Sequence, residues 1–129
     1  MELIFDEVTV GQALLTFLQS IDSGIYFDRA PRTTTFPYAV FKINNAFQRE
    51  GVKHTFIMEI DLWHNKGNNI TELLALQKSI LQGVHKKGYA DTNTTFYFNV
   101  ESVLLLQDSE EQIRRRQIRV IVDYYNTQE

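Results

Sequence analysis

Between Val52 and Trp63 the side chains alternate. Phe56, Met58, Ile60 and Leu62 fall on one side, and Thr55, Glu59 and Asp61 on the other. A period of two belongs to extended chain, so this stretch predicts a strand with one buried face and one wetter face. A strand of that kind needs neighbours beside it and apolar residues over its buried face. The apolar cover is present as two helical stripes. Val10, Ala13, Leu14, Phe17, Leu18 and Ile21 recur at three- and four-residue steps, predicting a helix from about Thr9 to Ser20, with Thr9 and Gln12 spaced as a capping box. Asn69 and Glu72 form a second capping signature before Ile70, Leu73, Leu74, Ile80, Leu81 and Val84, a helix that ends near Lys86-Lys87-Gly88.

Neighbouring strands are equally legible. Ile25 to Asp28 is a short one, stopped from the first helix by Asp22-Ser23-Gly24, and Pro37 fixes the start of another from Tyr38 to Ile43. Thr95 to Leu106 and Gln112 to Tyr125 alternate in the same way and are joined by the acidic turn Gln107 to Glu111, which predicts a hairpin. The predicted order is α-β-β-β-α-β-β. It implies an α+β two-layer sandwich, a largely antiparallel sheet with both helices on one face. A chain of 129 residues with 43% hydrophobic residues supplies one core, so residues 1–129 are predicted to form a single domain.

Chemistry is harder to find. The chain has no cysteine, which excludes disulfides, thiolate metal sites and a cysteine nucleophile. The net charge of -3 gives no global attraction to nucleic acid or an acidic membrane. The start MELIFDEVTV lacks the basic and apolar regions of a signal peptide, and no apolar run approaches the roughly 18 residues that span a bilayer, so a soluble protein is expected. The two Asn-x-Thr sequons at Asn69 and Asn93 carry no weight in such a protein.

Local motifs fail on inspection. His54, His64 and His85 lack metal-ligand spacing and read as surface or edge imidazoles. Gly83 to Tyr89 ends a helix, and Tyr89 and Ala90 stand where a phosphate loop requires Lys and Ser or Thr, while Asp61 to Glu72 imitates a calcium loop but has Trp63 and Lys66 at positions that need a ligand and a glycine. No cofactor or metal is expected. Arg114-Arg115-Arg116 with Arg119 is the one basic cluster. On a strand Arg115 and Arg119 share a face, near the acids Glu101, Asp108, Glu110, Glu111 and Asp123, which reads first as a solvated hairpin end with ion pairs. Tyr26, Phe36, Tyr38, Phe41 and Phe47 gather around the middle loops, available for core packing or association.

The ordering carries a further likeness. An N-terminal helix precedes Ile25-Tyr26-Phe27-Asp28, a loop with Pro31, the segment Phe36-Pro37-Tyr38-Ala39-Val40-Phe41, a long strand closing on Asp61-Leu62-Trp63, a helix and two final strands. From Leu14 to Tyr125 this resembles the tail-completion, or tail-terminator, proteins of long-tailed bacteriophages and prophages, such as the lambda tail terminator. The resemblance implies an α+β subunit of a cyclic ring, of six copies, at the head-proximal end of the virion tail after assembly in the host cytoplasm. Its implied partners are further copies of itself, the major tail tube protein and a head connector or neck protein, with no specific nucleic-acid binding and no membrane. The work implied is assembly and not catalysis.

Position along the chain, and not the family, selects the expected contact regions: Arg29 to Phe36, Asn44 to Lys53 and the hairpin around Arg114 to Arg119. Their candidate interface residues are Arg29, Arg32, Phe36, Phe47, Arg49, Arg115 and Arg119. The alternative reading is a small α+β ligand-binding or enzyme domain whose site gathers dispersed residues such as His64, Asp61, Arg29 and Tyr38.

Overall fold

A computed structural model describes residues 7–50, 53–65, 70–91, 94–106 and 113–126. Its elements are α1 (Glu7–Ile21), β1 (Ile25–Phe27), β2 (Tyr38–Glu50), β3 (Lys53–His64), α2 (Thr71–Val84), β4 (Gly88–Ala90), β5 (Thr94–Leu106) and β6 (Arg114–Asn126). One sheet contains all six strands in the order β1-β2-β3-β6-β5-β4. Every neighbouring pair is antiparallel except β1 with β2, which is parallel. The alternation read in β3 is fully realised, for Phe56, Met58, Ile60 and Leu62 are all buried and the intervening residues are half-buried.

The expected two-layer sandwich is corrected by this structure. The sheet is mixed and curls strongly into a half-barrel. Long strands twist, and a bulge increases the local twist of the strand that carries it. Here the ladder shifts register between Asn44 and Gln48 in β2 and again between Val100 and Ser102 in β5. The order α-β-β-β-α-β-β also lacks β4, a three-residue strand on the far edge.

Both helices bury residues in the core cluster that holds the inner face of β3. Val10, Leu14 and Leu18 come from α1, and Leu73, Leu76, Ile80 and Val84 from α2. Leu74, expected on that face, is 38% exposed, and Leu76 is buried instead. The reason is angular: steps of three and four from Leu73 run through Leu76, Ile80 and Val84, and Leu74 stands about 100° off that line. Close approach explains two glycines within helices. A Cβ on Gly11 would collide with the ring of Phe27, and one on Gly83 would lie 2.7 Å from Ile21 Cδ1.

Helix starts differ from the expected caps. α1 begins at Glu7, which puts Thr9 inside its first turn, and the N-cap of α2 is Ile70, with no side-chain cap; Asn69 lies outside the described residues. His54 and His64 are also corrected. Even spacing places both on the inner face of β3, where they are 2% and 1% exposed. His85 is exposed at the C-cap of α2, and the Val100 backbone N–H donates to its Nδ1 at 3.1 Å.

Candidate interaction surface

Opposite the core, the sheet presents a row of half-buried polar side chains from β3 and β6. The strand pairing sets their neighbours. Thr55 Oγ1 donates to Asp123 Oδ1 at 2.8 Å, and Gln117 Nε2 donates to Asp61 Oδ1 at 3.0 Å. Arg119 approaches Glu101 at 4.0 Å, and Lys53 approaches Asp123 at the same distance. These ion pairs are open to solvent and contribute little on their own. Arg115 is placed differently: its guanidinium carbon lies 4.0 Å from the ring centre of Trp63, its cross-strand partner. That cation–π stack contributes about 0.5–2 kcal/mol, depending on how dry it is. The Nε atoms of Arg115 and Arg119 are buried with no hydrogen-bond partner among the described residues, so both arginines retain donor capacity.

The segment after β1 folds over one end of this face. Asp28 takes a positive φ of 66°, and its N–H donates to Phe41 O at 2.9 Å, which turns the chain away from the sheet edge. Thr34 closes a turn through bonds from its N–H and hydroxyl to Pro31 O, and the Phe36–Pro37 bond is cis. Between this loop and the sheet is a concavity of about 380 Å³, lined by Arg29, Arg32, Phe36, Tyr38, Asp61 and Trp63 among others. Phe36 and Tyr38 meet there with ring centres 5.2 Å apart. The middle aromatics thus divide: Phe41 is fully buried against Phe27, whereas Phe36 and Tyr38 are half-buried at this surface.

The structure therefore brings together four expected contact residues. Arg29, Arg32 and Phe36 line the concavity directly, and Arg115 reaches it through Trp63, which lines it too. Arg119 lies on the same face but further along β6, at Glu101. Phe47 and Arg49 lie in β2, with side chains outside those described. Of the four dispersed residues in the alternative reading, Arg29, Tyr38 and Asp61 line the concavity, while His64 is on the opposite face of β3. Trp63 and Lys42, neither of them among the expected contact residues, also line the concavity. Their even spacing from Asp61 and Tyr38 was the available signal, but it required the β2–β3 pairing. Among the described residues no group of three or more His, Asp or Glu side chains is placed to hold a metal ion.

No family model and no curated protein matches the chain. Its fold is similar to that of a chain in a solved structure described as the virion of the native gene transfer agent (GTA) particle. The likeness has a TM-score of 0.72 at 8% identity and covers 91% of this chain and 98% of that one. The chain thus shares its fold with a chain of that gene transfer agent particle.

Proposed function

We propose that this protein is a virion structural protein that forms a ring on the tail tube, stops tube polymerisation and offers the surface on which the head is joined. The observation that carries this reading is the fold likeness to a gene transfer agent virion chain over 91% of the sequence. The resemblance of the sequence to tail-completion proteins points the same way. In this reading the subunits close head to tail into a cyclic ring of six, contacting the major tail tube protein on one side and a head connector or neck protein on the other. The protein resides at the head-proximal end of the tail, works without catalysis, and assembles in the host cytoplasm.

A broad polar face with an aromatic and arginine-rich end suits such a role, because arginine and aromatic rings are favoured where protein surfaces meet. The test is electron microscopy of particles produced without the gene. Overlong tails or tails without heads are expected, and normal-length tails joined to full heads would overturn the reading.

A further inference from the structure

The sheet has two open edges, one on each side. On one side β1 covers β2 only at Ala39–Phe41, and the Asp28 N–H bond to Phe41 O ends that cover. Among the described residues no strand lies beside β2 from Lys42 onward. On the other side β4 covers β5 only at Thr95–Tyr97, and the Phe98 N–H bond to Lys87 O is the last contact there. No described strand lies beside β5 from Asn99 to Leu106. That second edge is also apolar: Val103, Leu104 and Leu105 are 37%, 40% and 66% exposed, half of the large exposed hydrophobics among the described residues. Soluble proteins normally blunt an edge of this kind, because an open apolar strand is a template for another chain.

We infer that the open edge of β5 pairs with the open edge of β2 of a second copy, so that the sheet continues from subunit to subunit. The direction is right, since β2 and β5 run oppositely within the sheet and a copy set alongside therefore pairs them antiparallel. The register follows from the short strands. Tyr38, Trp63, Arg115 and Leu106 share one rung, and Lys42, Glu59, Arg119 and Ser102 share a higher one. Set level, β1 of one copy would meet the open edge of β5 in the next. Sliding the copy until Leu106 faces Lys42 clears β1 and β4 together, and it brings Asn99 opposite Glu50 at the other end. The same slide places Leu105 opposite Ile43, which is buried in the core of its own subunit. Among the described side chains, β5 carries the acid Glu101 and no base, and β2 from Lys42 onward carries the base Lys42 and no acid. A constant offset at each junction tilts the strands against the ring axis, as the stagger of a closed barrel does.

This inference rests on the proposed ring for its biological setting, but its test does not. The chain has no cysteine, so Leu106→Cys and Lys42→Cys create clean probes. Facing positions on paired strands bring Cβ atoms within disulfide reach. Purified single variants are mixed at high concentration, and a Leu106→Cys/Lys42→Cys double variant is introduced into particles, each under mild oxidation. Expected are a cross-linked dimer in the mixture, none in either variant alone, and a ladder of cross-linked copies in particles. Adding Leu105→Lys should remove the mixed dimer while leaving the melting temperature within a few degrees of the parent. A dimer from Leu106→Cys alone would show β5 pairing with itself and overturn the inference, as would no cross-link in either setting. Cross-linking without a tail phenotype on gene loss would sink the ring reading and leave the edge pairing intact. A tail phenotype without cross-linking would do the reverse.

Discussion

Leu73 and Leu74 are adjacent leucines on one helix, yet α2 buries the first completely and leaves the second 38% exposed. Replacing Leu73 with Ala should therefore cost about 2–5 kcal/mol, because a fully buried leucine leaves a cavity. Replacing Leu74 should cost about 0.5 kcal/mol or less, as surface substitutions do. Thermal or urea unfolding of the two variants checks the contrast, and equal losses would contradict the orientation of α2. Gly11 gives a second prediction. Alanine in a helix interior normally gains about 1 kcal/mol over glycine. A Cβ here meets the Phe27 ring, which packs on Phe41, so Gly11→Ala should destabilise by about 1–3 kcal/mol through overpacking. Gly83→Ala should also destabilise, because its Cβ would meet Cδ1, Cγ1 and Cγ2 of Ile21, a β-branched side chain that is stiff at χ1.

Strands read well when their signal lies within the strand and poorly when it lies between strands. β3 was legible because alternation is local to Phe56, Met58, Ile60 and Leu62, and the antiparallel β5–β6 pair because two alternating runs flank one polar stretch of sequence. The curl was not legible, since it follows register shifts at Asn44/Gln48 and Val100/Ser102 that exist only once partners are paired. β4 spans three residues and is too short to show a period. The candidate surface behaves alike: Arg29, Arg32 and Phe36 were found as a loop, but the stacking of Arg115 on Trp63 depends on β3 pairing with β6. That pair is measurable. A double-mutant cycle of Trp63→Leu and Arg115→Gln should give a coupling of about 1 kcal/mol in unfolding, and additivity would show that the stack contributes nothing.

For the whole molecule, the question is whether the outer face works within the subunit or between subunits. Arg115 and Arg119 decide it, because each already has a partner in its own chain, Trp63 and Glu101, and each keeps a buried Nε without a hydrogen bond among the described residues. If the face served only the isolated fold, neutralising both charges would remove a solvated ion pair and one cation–π contact, about 1–2 kcal/mol together. An interface adds a second term: truncating or reversing a desolvated charge against an acidic neighbour costs several kcal/mol of association. Under the proposed tail-capping role, the double variant Arg115→Gln/Arg119→Gln should therefore melt only a few degrees below the parent while failing to incorporate into tails in complementation of a gene-deleted phage. If the proposed ring closes only on the tube, where the local concentration of its subunits is raised, a monomer in dilute solution is compatible with this outcome. The measurement is incorporation of the variant into particles, beside its melting temperature. Normal incorporation with a normal melt would remove both arginines from the interface, whereas loss of folding together with loss of incorporation would assign them to the subunit's own stability.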